Sequence, residues 1–332
     1  GKSNIAIGCC SLGGIQTAVC SCWNVAIGEE ALGESRGSYN IGIGRLAGRT
    51  IGASGPGGGG KGNISIGACT GQYMGATYYN IAIGMKAMMC TAAYNADGNI
   101  AIGSSTLYSL GYGGTGNIAV GGTAGKCTTT GHNNTFIGGS AGFYNTTGHG
   151  NVFIGTQSGG VVAGATGANT TGYQNTSIGY RSGSGNTSGH NNIFLGYGSC
   201  ALADGCNNII TLGNSSITTI RAAVTSITSL SDERDKKDIE NLPVGLEFLR
   251  QVRPVKFTWN MRNNGKVDIQ DSGFIAQELQ KLVEDNNVGD WLDLVISNED
   301  GSRLEATPGK LIPVIIQAIK ELADEVDLLK NK

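Results

Sequence analysis

Asn24-Val25-Ala26-Ile27-Gly28 is one of twelve similar units that recur between residues 4 and 213. Each unit has asparagine, a β-branched or similar residue, a variable residue, an apolar residue and glycine, and successive asparagines lie 16 to 24 positions apart. The units begin at Asn4, Asn24, Asn40, Asn63, Asn80, Asn99, Asn117, Asn134, Asn151, Asn175, Asn192 and, slightly stretched, Asn208. A near-constant period over this many units is typical of a repeat array.

The pattern within each unit predicts a short strand. Its second and fourth positions are apolar while the third varies, which indicates period two with one buried face. A second short segment follows, such as the one at Glu30-Ala31-Leu32-Gly33, and turns rich in Gly, Thr and Asn lead to the next unit. Two short strands and two turns per unit predict one coil of a β-solenoid, with coils stacked at about 4.8 Å.

The glycine and the asparagine of each unit suit particular places in such a coil. Glycine after the strand fits a corner that needs positive φ, and asparagine before the strand can bond the backbone of a neighbouring coil. A coil this small encloses little core by itself, whereas several chains packed together bury far more. We therefore predict a homotrimer whose core lies along a shared axis.

These units resemble the heads of trimeric bacterial adhesins, which are β-rolls, and similar arrays in phage fibres. The resemblance covers about 210 residues. It implies a mainly β, trimeric solenoid or β-roll for the N-terminal part of the chain.

The composition changes abruptly at Ser231. Of the 56 glycines, 50 precede it, together with only nine basic and five acidic residues, whereas 14 basic and 20 acidic residues follow. The net charges of the two parts, about +4 and about −6, are too small to indicate binding to nucleic acid or to a membrane surface. The sequence also lacks a run of roughly 20 apolar residues, so we expect no membrane insertion.

The cysteines and histidines offer only weak candidates for a metal site. All nine cysteines precede Ser231 at irregular spacing, which is not typical of a secreted disulfide framework. A soft metal at Cys9, Cys10, Cys20 and Cys22 is one interpretation, and small buried thiols are the favoured one. His132, His149 and His190 occupy matching places in three units, where a metal or anion on a trimer axis is the alternative to surface turn residues. We predict no metal and no cofactor.

The rest of the chain divides into a connector and a segment of ordinary globular composition. In residues 214–230 Ser and Thr alternate with Ile, Val and Leu, which predicts a β-strand connector. Beyond it, Ile239, Leu242, Leu246, Leu249 and Val252 fall at helical spacing, which predicts a helix with Pro243 near its start and Arg253-Pro254 at its end. Residues 255–259 alternate like a strand, Asn263-Asn264-Gly265 predict a turn, and a second helix is predicted over residues 277–284. Residues 311–330 form the clearest helical pattern, and its heptad seam favours a short coiled coil through Ile315, Ile319, Leu322, Val326 and Leu329. The predicted domains are therefore 1–213, 214–230 and 231–332.

Four ordered motifs identify what residues 231–332 resemble. They are Ser231-Asp232-x-Arg234-x-Lys236-x-x-Ile239, Leu249-x-x-Val252-x-Pro254-Val255-x-Phe257-x-Trp259, Gly273-Phe274-Ile275-Ala276-Gln277-Glu278 and Ala318-Ile319-Lys320-Glu321-Leu322. Together they resemble the intramolecular chaperone, or peptidase S74, domain found at the C-termini of phage tail spikes, tail fibres and neck appendages, and inside myelin regulatory factor. The pattern departs from the family at Phe257, where tyrosine is common, and in the acidic loop between Glu284 and Glu305.

The resemblance implies a small α+β domain that trimerises, guides the folding of the preceding β-structured segment and then cuts itself off. The implied scissile bond is Leu230–Ser231, with Ser231 as nucleophile and Lys236 as base, a single-turnover serine peptidase. A serine hydroxyl needs such a base, and a lysine can serve only as the free amine.

The spacing of the two residues leaves a second interpretation open. Ser231 can instead cap a helix, with Asp232 and Glu233 at its positive end. On a continuous helix Ser231 and Lys236 would lie about 140° apart and would not face each other. The dyad therefore requires an irregular turn or a lysine from a neighbouring chain.

The expected function is a bacteriophage tail-fibre or appendage segment for attachment to a host surface. We expect it in the virion after synthesis in the bacterial cytoplasm, as a homotrimer whose receptor is a glycan or an outer-surface protein. One alternative is a tail-spike glycan depolymerase, which needs two carboxylates; Glu29, Glu30 and Glu34 are the sole acidic cluster before Ser231. The other is a cellular trimeric adhesin.

Overall fold

A computed structural model of the chain describes residues 1–13, 21–52, 59–90, 95–160, 168–201, 204–223, 227–262, 266–297 and 303–331. The chain divides into two compact units, Gly1–Asn214 and Ser215–Lys332. We refer to them as the solenoid and the C-terminal unit.

The solenoid is built on one parallel sheet of twelve three-residue strands in sequence order. Each strand pairs with the next in the register of the repeat, so that Val25 faces Ile41 and Ile27 faces Ile43. The predicted β-solenoid is thereby confirmed. The strands are β1 (Ile5–Ile7), β2 (Val25–Ile27), β3 (Ile41–Ile43), β4 (Ile64–Ile66), β5 (Ile81–Ile83), β6 (Ile100–Ile102), β7 (Ile118–Val120), β8 (Thr135–Ile137), β9 (Val152–Ile154), β10 (Thr176–Ile178), β11 (Ile193–Leu195) and β12 (Ile210–Leu212).

The buried face of each strand is the opposite of the one that the pattern predicted. From β2 to β11 the third position of the unit points into the coil, and its residue is buried whether it is small, as at Ala26, or large, as at Phe136 and Phe153. In the terminal strands β1 and β12 the same position is exposed at Ala6 and half-buried at Thr211. The flanking positions are only partly covered: Ile118 is 40% exposed and Ile137 39%. Since each three-residue strand turns one side chain inward, the coil fills with that residue and leaves the Ile and Val side chains on its outer face.

The segment after each strand also differs from the prediction. In the described residues it forms turns instead of a second strand, with left-handed backbone at positions such as Glu30 (φ 53°) and Leu32 (φ 49°). Left-handed residues reverse the chain within a few positions, which is incompatible with an extended strand. The coil therefore has one strand.

The glycine that ends each strand is required by both conformation and space. Gly28 has φ +129°, and a Cβ placed on it would lie 2.7 Å from the backbone carbonyl carbon of Gly44 in the next coil. Any L-residue at this position would be strained and would clash with backbone, so the stacked glycines let the coils approach each other.

Buried asparagines connect the coils in a continuous ladder. The Asn134 backbone N–H donates to Asn117 Oδ1 at 3.1 Å, and its side-chain Nδ2 donates to the same oxygen at 3.0 Å and to the Gly148 carbonyl at 2.8 Å. Asn151 then donates its backbone N–H to Asn134 Oδ1 at 2.9 Å. The expected bond from asparagine to a neighbouring backbone is therefore present, and it satisfies polar groups that water cannot reach.

The last coil departs from the repeat. Ile209, not Asn208, donates its backbone N–H to Asn192 Oδ1, at 3.0 Å. Asn208 lies one position earlier, with left-handed backbone at φ 62°. The asparagine ladder therefore ends at Asn192, and the twelfth unit has one more residue between its asparagine and its glycine than the other units, in agreement with its stretched spacing in the sequence.

The C-terminal unit combines three helices with two antiparallel hairpins. Its elements are α1 (Leu246–Gln251), β13 (Val255–Asn260), β14 (Val267–Gly273), α2 (Ala276–Asp285), β15 (Val295–Ser297), β16 (Leu304–Ala306) and α3 (Leu311–Lys330). They enclose an apolar cluster of Phe248, Leu279, Leu282, Val288, Leu292, Leu294, Leu311 and Val314. The predicted turn at 263–265 lies outside the described residues.

The first predicted helix of this unit begins at Leu246, shortly after Pro243, with Gly245 at the capping position. Ile239 and Leu242, which share its apolar spacing, lie outside the helix, since residues before a proline disfavour helical backbone. The strand at Val255 and the second helix agree with their predicted positions to within one residue.

Helix α3 has the predicted bounds, and it presents two different apolar faces. Leu311, Val314 and Ala318 are buried, on the side that packs against α1. The five residues of the predicted seam are between 38% and 70% exposed: Ile315, Ile319, Leu322, Val326 and Leu329. The seam is thus not used for packing within one chain.

The described connector residues, 214–223 and 227–230, include a turn and a bend, and none of them lies in a strand. The strand predicted for the connector is therefore absent from these residues, whereas residues 224–226 lie outside the described ranges. Among the described helices, none has the length and apolar character needed to cross a membrane.

Candidate functional site

Ser231 and Lys236, which the sequence singled out, lie in direct contact in the same chain. Lys236 Nζ donates to Ser231 Oγ at 2.7 Å and to the Ser231 carbonyl oxygen at 3.3 Å. The first distance is that of a short hydrogen bond between a nitrogen and a hydroxyl oxygen. The structure therefore places a candidate base next to a candidate nucleophile without help from another chain.

A single 3₁₀ turn brings the two residues together. Glu233–Asp235 form the turn, and the flanking Asp232 and Lys236 both have extended backbone, with ψ 134° and 149°. This is the irregular turn that the five-residue spacing required. The interpretation in which Ser231 caps a helix is wrong, because Asp232 holds the capping position and its side chain accepts from the Arg234 N–H.

The charged groups of the turn are paired with one another. The Arg234 guanidinium donates to the Asp232 carboxylate through Nε at 3.0 Å and Nη2 at 2.5 Å. The hydrogen bonds from the side chain and backbone of Arg234 lower the pKa of Asp232, and the same carboxylate raises the pKa of Arg234. Both groups are therefore ionised at neutral pH.

The site is open to solvent within one chain. Leu230 is fully exposed, and every residue from Ser231 to Glu240 is exposed. Cleavage of an amide also needs donors that hold the oxyanion, which are most effective where water is excluded. The serine and lysine are in place here, whereas exclusion of water from them requires a further surface.

Two of the other motifs meet in an ion pair that the sequence reading did not predict. Arg253, directly before Pro254, donates through Nε to Glu278 Oε2 at 3.0 Å and forms a second bond through Nη2. This bond raises the pKa of Arg253 and lowers that of Glu278. The presence of an arginine and a glutamate in separate ordered motifs was the available signal. The contact ties the entry of β13 to α2.

The aromatic residues of the second motif lie on hairpin β13–β14. Phe257 and Trp259 contact edge to face, with ring centroids 5.0 Å apart. Trp259 Nε1 donates to Asp271 Oδ2 at 3.0 Å, which lowers the pKa of that carboxyl. These residues hold the hairpin together and take no direct part in the serine–lysine contact that the structure shows.

The acidic cluster of the solenoid does not have the arrangement of a glycosidase site. Glu29 pairs with Arg45 at 3.0 Å, while Arg49 contacts Glu30 at 3.1 Å and Glu34 at 2.7 Å. Each carboxylate thus faces an arginine instead of a cleft between two carboxylates. The cluster reads as a set of surface ion pairs across neighbouring coils.

The three histidines form one stacked column with Tyr173. Ring centroids are 4.9 Å apart for His132 and His149, 4.9 Å for His149 and Tyr173, and 4.6 Å for Tyr173 and His190, with planes within 4° of parallel. Because lone pairs lie in the ring plane, parallel stacked imidazoles do not converge on one metal ion. No group of three or more potential ligands of the His, Cys, Asp and Glu types occurs among the described residues. Cys9 and Cys10 approach with their Sγ atoms 3.5 Å apart, and Cys20 lies outside the described ranges.

Comparison with known families gives one match, and it begins at the candidate nucleophile. Residues 231–287 match the peptidase S74 family model, described as chaperone of endosialidase. Comparisons with curated proteins and with solved structures found no match. The chain thus has a β-solenoid followed by a segment that matches this family, and the serine–lysine contact lies in the first six residues of the match.

Proposed function

With a peptidase S74 domain behind a β-solenoid as the starting point, we propose that this chain is part of a bacteriophage tail fibre or appendage. Its C-terminal unit joins three chains, guides the solenoid into register and then cuts the Leu230–Ser231 bond. The solenoid remains in the virion for attachment to a glycan or protein of the host surface. The observation that carries the proposal is the 2.7 Å contact between Ser231 Oγ and Lys236 Nζ, at the start of the family match.

The cleavage follows from this contact in two steps. Lys236, as the free amine, takes the proton of the Ser231 hydroxyl while Oγ attacks the Leu230 carbonyl carbon. The C–N bond breaks, the nitrogen of Ser231 takes the proton back from Lys236, and Leu230 is left as an ester on Oγ. Water then hydrolyses the ester, which yields a Leu230 carboxylate and a free Ser231 hydroxyl and amine.

The solenoid gives a physical reason for a chaperone. Its coils pair through equivalent residues and the same asparagine bond, so that a pairing one coil out of register has nearly the same contacts and a similar energy. Three chains joined at one end start in a single register. Once the coils have formed, the joint is no longer needed, and the product persists because unfolding is slow.

Two exposed apolar surfaces support trimer formation. The outer positions of the strands form two rows along the solenoid. Ile102, Ile137 and Ile178 lie in one row and Ile118 lies in the other, and each is 38% to 41% exposed. The seam of α3 forms the second surface, with Ile319 61% exposed. Exposed apolar surface of this kind marks an interface. Association of chains through it would remove these side chains from water.

The test of cleavage is the intact mass of the chain after expression, wild type beside Ser231→Ala and Lys236→Ala. We expect the wild type to separate into products of residues 1–230 and 231–332, and both variants to stay full length. Hydroxylamine added during the reaction should leave a hydroxamate on Leu230, since it attacks esters. A wild type that forms trimers and stays full length would rule out self-cleavage by this chain.

The contact within one chain predicts that Ser231 and Lys236 must belong to the same chain, and mixed trimers test this. Ser231→Ala chains co-assembled with Lys236→Ala chains contain an intact serine and an intact lysine, but never in one chain. Since Lys236 reaches Ser231 of its own chain, we expect no cleavage in the mixture. Cleavage of the Lys236→Ala chains would show instead that a neighbouring lysine acts.

A further inference from the structure

The turn that joins Ser231 to Lys236 has no buried side chain to hold it. Its two backbone hydrogen bonds, from Asp235 N to Asp232 O at 3.2 Å and from Lys236 N to Glu233 O at 3.0 Å, are exposed to water. A lysine kept in one rotamer also gives up conformational entropy. A stable contact between the serine and the lysine therefore needs another source of order in the turn.

The side chains of Asp232 and Arg234 supply additional contacts across the turn. Asp232 Oδ1 accepts from the Arg234 backbone N–H at 2.9 Å and from Nε at 3.0 Å, while Oδ2 accepts from Nη2 at 2.5 Å. The Asp232 carboxylate thus caps the turn and also binds the Arg234 guanidinium. Caps of this kind stabilise a helical turn against fraying.

The pairing with Arg234 also determines which side chain the Asp232 carboxylate binds. Asp232 directly follows Ser231, so that an unpaired carboxylate here would be free to compete with Ser231 for the Lys236 side chain. The Arg234 guanidinium occupies both carboxylate oxygens. Lys236 then has Ser231 as its partner, through Oγ and the carbonyl oxygen.

We propose that Asp232 and Arg234 are positioning residues for self-cleavage: their ion pair fixes the turn that brings Lys236 to Ser231 and keeps the Asp232 carboxylate away from that lysine. The inference rests on the proposed function and adds to it the residues that set the geometry of the dyad. Neither side chain is assigned a role in transferring protons or in holding the reacting carbonyl.

The cleavage rate of the full chain tests the capping role. Asp232→Ala should cleave about five-fold more slowly, because loss of a typical N-cap residue leaves the turn ordered in a smaller share of the molecules. Asp232→Asn keeps an acceptor for the Arg234 N–H and should retain most of the rate. Glu233→Ala removes an acidic side chain from the same exposed turn and serves as the matched control, with a rate like that of the wild type. Equal rates for Asp232→Ala and Glu233→Ala would overturn the inference.

The pH dependence of the rate tests the second role. In Arg234→Gln the Asp232 carboxylate is free to pair with Lys236, so the pH–rate profile should move to higher pH. Arg234→Lys should restore much of the wild-type profile, and Lys237→Gln controls for the loss of one positive charge from the same segment. A shift for Arg234→Gln no larger than that for Lys237→Gln would contradict this role.

Millisecond hydrogen–deuterium exchange in a Ser231→Ala background gives a readout that does not depend on cleavage. The amides of Arg234, Asp235 and Lys236 should exchange faster when Asp232→Ala is added, and no faster when Glu233→Ala is added. If the wild type fails to cleave while Asp232→Ala alone speeds amide exchange, self-cleavage is ruled out, but the Asp232–Arg234 pair still orders the turn. If the wild type cleaves but the two variants exchange at the same rate, the positioning role is ruled out and self-cleavage is retained.

Discussion

In the solenoid the side chains that fill the interior include a polar residue from nearly every coil, whereas the core of the C-terminal unit is apolar. Every buried polar side chain among the described residues lies in the solenoid, with asparagines such as Asn117 and Asn134 fully buried. The C-terminal unit instead packs Phe248, Leu282 and Leu294 against its helices. The solenoid therefore gains stability from one set of hydrogen bonds repeated in each coil.

The difference shows why the two parts belong together in one chain. Repeated contacts stabilise a stack of coils but distinguish poorly between one register and the next. The C-terminal unit has contacts that occur once, and its α3 seam is too exposed to be complete in one chain. In the proposed function, the C-terminal unit supplies the single starting point that a stack of repeated coils lacks.

The largest expected effect comes from a charge placed in the α3 seam. Ile319→Asp replaces an apolar side chain in each of three chains, at a cost of about 5 kcal/mol or more per trimer when 1.5–3 kcal/mol is lost per side chain. We expect sedimentation to show loss of the trimer, while helix content is retained, because Ile319 is 61% exposed within the chain. Lys320→Asp, one position further on the same helix, is the control and should stay trimeric. A trimer that survives Ile319→Asp would remove α3 from the proposed interface.

A smaller effect is expected when one step of the asparagine ladder is removed. Asn134→Ala leaves the Asn151 N–H without its acceptor and takes a donor from the Gly148 carbonyl. The Gly148 carbonyl keeps the Asn145 Nδ2 donor at 2.9 Å, so one buried N–H is left unpaired, and we expect a loss of about 1–3 kcal/mol. Thermal unfolding of the Ser231→Ala trimer, in which the two units stay joined, measures it.

The neighbouring residue provides the control for this step. Asn133 is exposed and has left-handed backbone at φ 56°, which glycine adopts freely. Asn133→Gly should change the stability by less than about 0.5 kcal/mol. Similar losses for the two variants would mean that the ladder is not what stabilises the coils.

The smallest expected effect is a pH-dependent one in the C-terminal unit. Glu321 of α3 accepts the Leu246 N–H of α1 at 2.7 Å. That bond, followed by one from the Gln317 side chain, lowers the pKa of Glu321. A lowered pKa means that the carboxylate stabilises the fold at neutral pH and that this contribution disappears as the pH falls through the lowered value.

Thermal unfolding of wild type and Glu321→Ala across this range checks the expectation. The difference in midpoint should be present at pH 7 and should vanish in acid, below the usual range for glutamate. Glu321→Gln keeps an acceptor for the Leu246 N–H and should show a weaker pH dependence than the wild type. If the midpoints of wild type and Glu321→Ala differ by the same amount at pH 7 and in acid, the role of the charge is contradicted.

Parts of the candidate site were predictable from the sequence, and parts were not. The motif at Ser231 and Lys236 indicated the residues, because their types and order are specific. The five-residue spacing left open whether they meet, since a regular helix separates them. Only the 3₁₀ turn and its Asp232–Arg234 pair bring them to 2.7 Å. Asp232 and Arg234 are both part of the motif, but nothing in the sequence indicated that they pair with each other.

What the sequence determined by itself was the repeat, and with it the solenoid. The spacing of Asn and Gly is local, and so are the strand at positions such as Val25–Ile27 and the glycine corner that follows. The bounds of α3 were equally readable, since its apolar period extends over 20 residues.

Which face of each strand is buried was decided only by the tertiary structure. A period-two pattern distinguishes two faces but does not say which one a coil encloses. Closure of the coil leaves room for one inward side chain per strand, so that Ala26 or Phe136 lies inside and Ile27 or Ile137 outside. The register at Ile209 depended in the same way on contacts with the preceding coil, which no local motif encodes.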